Sequence, residues 1–298
     1  MEGNIIRTSG CLTILVFAAA AWAAAQEGSP QASLWMETSQ LSERLRDPNL
    51  RIIDARSPND YQQSHIPGAV NLPASDTDSL PANATGYPIP RGQAEDLFRA
   101  AGINQSSHVI VYDSQGHRFA ARIFYVLEFF GHQRVAVLNG GFPKWQSEGK
   151  PTSTERATVS PGDFKLDVKS DVIVTADWVK NHLNDPGIKL VDARSPEEYA
   201  GSPAQGARSG HIPGAVNLEW KRLLNPGDAP TLAEIPELKR LFAGAGVEPA
   251  KEVVAYCQSG TRASAIYFAL RLLGYPRVRM YDGSWAEWSA NADTPIEK

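Results

Sequence analysis

Cysteine is almost missing from this chain: 298 residues carry two. A disulfide framework is excluded, because Cys11 lies in an N-terminal stretch expected to be removed and Cys257 is then alone. An excess of either charge is missing too. Lys and Arg number 29 against 33 Asp and Glu, a formal net charge of −4, which removes the electrostatic case for nucleic acid or an anionic membrane as partner. No His, Cys and Asp cluster has metal-ligand spacing and no Gly-rich nucleotide fingerprint appears, so neither metal nor cofactor is expected. The apolar run at residues 12–21 is short for a membrane span. With Arg7 ahead of it and Ala23-Ala24-Ala25 behind it, it reads as the core of a secretory signal peptide over residues 1–25. The mature chain is expected to start near Gln26, to be exported to the periplasm, and to keep no stable membrane association.

What is present is a sequence written twice. Ile52-Ile53-Asp54-Ala55-Arg56-Ser57-Pro58 returns as Leu190-Val191-Asp192-Ala193-Arg194-Ser195-Pro196. His65-Ile66-Pro67-Gly68-Ala69-Val70-Asn71-Leu72 returns at residues 211–218, Val111-Tyr112-Asp113 as Ala255-Tyr256-Cys257, and Asn139-Gly140-Gly141 with Trp145 as Asp282-Gly283-Ser284 with Trp288. The order is kept, so the chain is a tandem duplication. Two domains are expected, an N-terminal one at 34–148 and a C-terminal one at 172–298, joined by a linker at 149–171 rich in Ser, Thr, Lys and Pro. The second copy carries an insertion near 201–208.

Each copy alternates strands and helices. In the first, strands are predicted at 51–54, 109–112 and 135–138, and helices at 40–45 (capped by Thr38), 92–101 and 120–130. In the second, Thr175 caps a helix at 177–183, further helices fall at 235–243 and 263–273, and strands fall at 189–192, 253–256 and 278–281. Such alternation predicts an α/β fold, each domain a mainly parallel sheet flanked by helices on both faces, with its active site beyond the C-terminal strand ends.

Cys257 stands at one of those ends. Gln258, Ser259, Gly260, Thr261 and Arg262 follow it and lead into a helix. A strand, a tight loop and a helix N-terminus aim backbone N–H groups and a positive dipole end at one point. A cysteine there is favoured as thiolate, the nucleophilic form, and Arg262 adds a full positive charge. The loop reads as a nucleophilic sulfur inside an anion cradle. In the first copy Asp113 holds the same position; a carboxylate takes up no sulfur and repels anions, so that domain is expected to be inactive. His65 and His211 read as turn-forming residues, and Phe119, Phe124, Tyr125, Phe129 and Phe130 as helix core.

The doubled Asp-Ala-Arg-Ser-Pro and His-Ile-Pro-Gly-Ala-Val-Asn blocks, with a terminal loop opening on cysteine, closely resemble the tandem rhodanese family of sulfurtransferases over essentially all of the mature chain. The resemblance implies two rhodanese-like domains with the cleft between them. It also implies a Cys257 persulfide, thiosulfate as sulfur donor, and cyanide, a thiol or a protein as acceptor. Relatives that use 3-mercaptopyruvate usually show Cys-Gly-Ser-Gly-Val-Thr, from which Gln258, Thr261 and Arg262 depart, and a histidine before Met-Leu-Pro that the stretch Thr85-Gly86-Tyr87-Pro88-Ile89-Pro90 lacks. Thiosulfate is therefore the favoured donor and 3-mercaptopyruvate the alternative. Arg194, Arg208 and Arg122 are candidate cleft cations, although Asp54/Arg56 and Asp192/Arg194 also read as internal ion pairs. Glu198 stands where animal members of the family carry a second arginine. Arg262 either meets the donor or braces the loop.

Two other classes compete with this reading. Phosphatases and arsenate reductases also set Cys and Arg around an anion loop, but tyrosine-phosphatase-type loops place five residues between them and this chain places four, 258–261. A persulfide carrier without turnover would keep the same cysteine.

Overall fold

Near-continuous apolar runs, of the kind that strands buried on both faces require, become two parallel sheets in the computed structural model, which describes residues 30–78, 88–202 and 208–298. The proposed signal peptide, Thr85, Gly86, Tyr87 and most of the insertion lie outside the described residues. In the first domain, β1 (Trp35–Met36), β2 (Leu50–Asp54), β3 (Val70–Asn71), β4 (His108–Tyr112) and β5 (Val135–Leu138) line up in the order β1-β5-β4-β2-β3. In the second, β6 (Ile188–Asp192), β7 (Val216–Asn217), β8 (Glu252–Tyr256) and β9 (Val278–Met280) line up as β7-β6-β8-β9. Every pairing between these strands is parallel. The registers repeat: Asp54 faces Tyr112 as Asp192 faces Tyr256.

Helices cover both faces. The first domain has α1 (Thr38–Glu43), α2 (Pro58–Gln63), α3 (Arg91–Ala100), α4 (Arg118–Phe129) and α5 (Gly141–Ser147). The second has α6 (Ala176–Asn181), α7 (Pro196–Tyr199), α8 (Ile235–Gly244), α9 (Thr261–Leu272) and α10 (Ser284–Ala290). Thr175 caps α6 as predicted, its hydroxyl accepting from the Trp178 N–H. Thr38 does not cap α1. Glu37 does, in a reciprocal box with Gln40, because its longer carboxylate also takes Lys144, Asn139 and the Trp35 indole N–H.

One apolar core runs through both domains, and each domain keeps a smaller one on its other face, around Trp145 and around Trp288. At the centre α4 lies against α9. Phe124 meets Phe268 edge-on with centroids 5.0 Å apart, and Tyr125 meets Tyr267 at 5.2 Å; such pairs contribute about 0.5–1.5 kcal/mol each beyond area burial. Glu128 on α4 receives the Arg271 guanidinium and the Tyr267 hydroxyl from α9. The segment between the sheets has little regular structure but is not loose. Pro151 accepts from the Trp145 indole, Gly162 donates to Arg99, and Phe164 is fully buried against Phe98 and His132.

Candidate active site

The sequence Val-Val-Ala-Tyr delivers Cys257 as the first residue past β8. Its backbone is held from one side by the start of α10. The Cys257 N–H donates to Ser284 Oγ at 3.2 Å, the Cys257 carbonyl accepts from Trp285 N at 3.0 Å, and Gln258 O accepts from Ala286 N at 3.0 Å. Ser284 is itself fixed, at φ +56°, by donating to Tyr281 O. Gly260 then turns the chain at φ +89°. Only glycine fits, since a Cβ there would stand 2.1 Å from Asp282 Oδ1. The Gly260 carbonyl accepts from both the N–H and the hydroxyl of Ser264, in the first turn of α9.

Cys257 is 1% exposed, while Gln258 and Ser259 are exposed and Thr261 and Arg262 half-buried. The loop thus has a buried thiol and an open lip. Among the described residues, no protein acceptor meets the N–H groups of residues 258–263. They are the orphan donors of a helix start, with the α9 dipole behind them.

The first-domain loop shows where such donors point. Asp113 is buried, and its Oδ1 accepts from Gln115 N and His117 N at 2.9 and 3.1 Å. Its Oδ2 accepts from Phe119 N and Ala120 N at 2.8 and 3.0 Å. Because α4 and α9 are both 12 residues long, Phe119 and Ala120 correspond to Arg262 and Ala263. The carboxylate is drawn in by the donors. It fills its cradle as well as repelling other anions.

The arginines are differently engaged. Arg262 forms a two-point ion pair with Glu198, Nη1 to Oε2 at 2.6 Å and Nη2 to Oε1 at 2.8 Å. Burial alone would raise the Glu198 carboxyl, but the Arg262 guanidinium holds it below its ordinary range. The sequence left this arginine undecided between donor and brace; here it is engaged by Glu198. The three candidate cleft cations are also engaged within the protein. Arg194 is fully buried, clasps Asp192, donates to Gly210 O and lies over Trp285. Arg208 ties the C-terminal segment through the carbonyls of Ser289, Asn291 and Thr294. Arg122 is fully buried and paired with Asp282 and Asp78. A nearby carboxylate or carbonyl set engages each of them, although Arg194 Nη1 is buried and makes no hydrogen bond among the described residues. The reading of Asp54/Arg56 and Asp192/Arg194 as internal pairs matches the geometry, with Arg56 repeating the clasp at 2.6–3.1 Å.

His65 and His211 stack on Tyr61 and Tyr199 and hydrogen-bond their carbonyls, which fixes the turns. Sequence reasoning assigned no role to Ser284 and Asp282. The repeated Asp/Asn-Gly-X block with its trailing Trp was the signal that could have found them. Among the described residues, no group of His, Cys, Asp and Glu could hold a metal ion.

A sequence model described as the rhodanese-like domain matches residues 37–148 and again 175–291. The chain belongs to the rhodanese family. A thiosulfate sulfurtransferase of Azotobacter vinelandii is 36% identical over 264 residues, 89% of this chain and 97% of that one. A 3-mercaptopyruvate sulfurtransferase of Escherichia coli K12 is 34% identical over 274 residues, 86% of this chain and 95% of that one. Among solved structures, EanB carrying a cysteine persulfide with ergothioneine superposes with a TM-score of 0.82 at 25% identity, covering 91% of this chain and 71% of that one. This protein is a rhodanese-type sulfurtransferase with the α/β fold in two copies.

Proposed function

We propose that Cys257 carries sulfur from thiosulfate to a thiophile. The thiolate attacks the outer sulfur of thiosulfate, the S–S bond breaks, and sulfite leaves with the bonding electrons. The resulting persulfide gives its outer sulfur to cyanide or a thiol, and the thiolate returns. This is covalent catalysis in two half-reactions. The supporting observation is a buried thiol at the start of a loop whose N–H groups, at residues 258–263, meet no acceptor among the described residues. Their fixed orientation favours the negative sulfur present in each half-reaction.

Cys257→Ser should abolish transfer to cyanide, and the wild-type peptide holding Cys257 should gain the mass of one sulfur atom after donor exposure. Turnover that survives the serine, or a sulfur found on another residue, would end this assignment.

Thiosulfate as donor is supported by relatives such as the Azotobacter enzyme and by the missing histidine in residues 85–90. One observation favours 3-mercaptopyruvate instead: the Glu198 pair spends the charge that made the loop appear strongly cationic. A higher kcat/KM with 3-mercaptopyruvate than with thiosulfate would reverse the donor and leave the chemistry of Cys257 standing.

Export to the periplasm is part of the proposal. It is supported by residues 1–25 of the sequence, and no helix among the described residues is long and apolar enough to cross a membrane. Sequencing the N-terminus of the cell-produced protein tests it; a start at Met1 would refute it.

A further inference from the structure

Beneath the Cys257 loop an ion pair joins the two domains. Arg122 projects from α4 of the first domain and is fully buried. Its Nη1 donates to Asp282 Oδ1 at 2.5 Å, while Nε and Nη2 reach Asp78 Oδ1, each at 2.9 Å. Asp282 is equally buried and lies two residues before Ser284, the acceptor of the Cys257 N–H. Gly260 rests on this pair: its built Cβ would come 2.1 Å from Asp282 Oδ1 and 3.1 Å from Arg122 Nη1. A guanidinium from the domain without a cysteine therefore sits under the residue that turns the loop. We propose that Arg122 and Asp282 form a positioning pair for sulfur transfer, through which the first domain holds Gly260 and with it the loop N–H groups against Cys257.

Three observations favour positioning over adhesion. The interface already has the Phe124–Phe268, Tyr125–Tyr267 and Glu128–Arg271 contacts. Asp282 Oδ2 has no hydrogen-bond partner among the described residues, so the pair is an incomplete network of the kind that apolar side chains replace without loss. Burial lifts the Asp282 carboxyl from 3.8 to about 6 in spite of Arg122. The folded chain then holds this proton more tightly than the unfolded chain, so stability falls as pH rises from 3.8 to about 6. At neutral pH the ionised carboxylate weighs against folding. The charged groups facing it are Arg122 and Asp78, both from the first domain.

The test uses Arg122→Met and Asp282→Asn, singly and together, with thermal unfolding and steady-state kinetics. The single Arg122→Met leaves a buried carboxyl unpaired and can fail to fold, so the double variant decides. It should unfold within a few degrees of the wild-type temperature, because the Asp78 carboxylate it leaves unpaired has a side chain 35% exposed to solvent. Its kcat should drop about tenfold or more, as loss of alignment predicts, with KM within about threefold. The wild-type kcat should rise with pH through about 6 as Asp282 ionises, and the double variant should lack that rise. A double variant with wild-type kcat would reduce the pair to packing and overturn the proposal. So would a loss confined to KM, or a double variant that cannot fold. Because Cys257 is intact in it, sulfur loading of the double variant should persist, which separates failure here from failure of the persulfide route.

Discussion

The loop after β4 and the loop after β8 leave equivalent strand ends, enter helices of equal length and differ in what their N–H groups meet. In the first, four donors close on the Asp113 carboxylate. In the second, the donors of residues 258–263 meet no protein acceptor among the described residues, and a buried thiol opens the loop. Both copies thus present loop N–H groups at a helix start, although four residues separate Asp113 from α4 and three separate Cys257 from α9. The side chain at the loop's first position decides whether they are satisfied from within or left for a substrate. The closed loop then serves as packing: a Cβ on Gly116 would stand 2.5 Å from Leu224 and 3.1 Å from Trp220 of the other domain. The open loop keeps unpaired donors, which is the usual relation between a working site and stability.

The harshest way to break this comparison is to write one loop into the other. Cys257→Asp should lose sulfur transfer completely, since a carboxylate cannot hold a sulfur atom. It should nevertheless fold and resist urea better, by about 1–2 kcal/mol, as charge-assisted bonds form to the loop N–H groups. Equilibrium unfolding followed beside the cyanide assay checks both. A variant less stable than wild type would show that the donors of the second loop do not meet at residue 257.

The converse change is gentler on function. Asp113→Ala strands four donors, those of His117 and Ala120 buried, and should cost about 3 kcal/mol of stability, while transfer at Cys257 stays within about twofold. A loss below about 1 kcal/mol would mean that solvent satisfies the donors as well as the carboxylate does.

The parts of this comparison carried by neighbours in sequence were legible before the structure. The duplication, the sheet class and the placing of Cys257 at a strand end all rest on runs of a few residues. So does the chemical contrast between Asp113 and Cys257, although repulsion alone missed that the carboxylate is an acceptor. The helices α2, α5, α7 and α10 escaped because seven residues or fewer show too little of a period, whereas the equally short α1 and α6 were found through candidate caps at Thr38 and Thr175. The arginines escaped for another reason. Arg122 and Asp282 stand 160 residues apart, Arg262 and Glu198 stand 64 apart, and only the packing of α4 against α9 or of α7 beside the loop makes them partners. A charge read from sequence has no partner until the fold supplies one.

The subtlest difference between the copies is the ion pair beside the open loop. Glu198 and Asp60 hold equivalent positions, each six residues after the aspartate of Asp-Ala-Arg. Asp60 faces a copy in which Phe119 replaces Arg262, so the pair belongs to the catalytic copy alone. Glu198 also closes a capping box with Ser195, accepting its N–H at 3.0 Å. Glutamine can keep that bond and lose the charge. Glu198→Gln should therefore leave α7 in place and release Arg262 toward the open lip. Freed of about 1 kcal/mol of competing attraction, the arginine should lower the KM for thiosulfate roughly fivefold, with little change in kcat. The gain should fade at high salt, because the lip is open to solvent and its charges are screened. A KM that rises instead would mean that Glu198 aims Arg262 at the donor, and that the brace and the binding group are one.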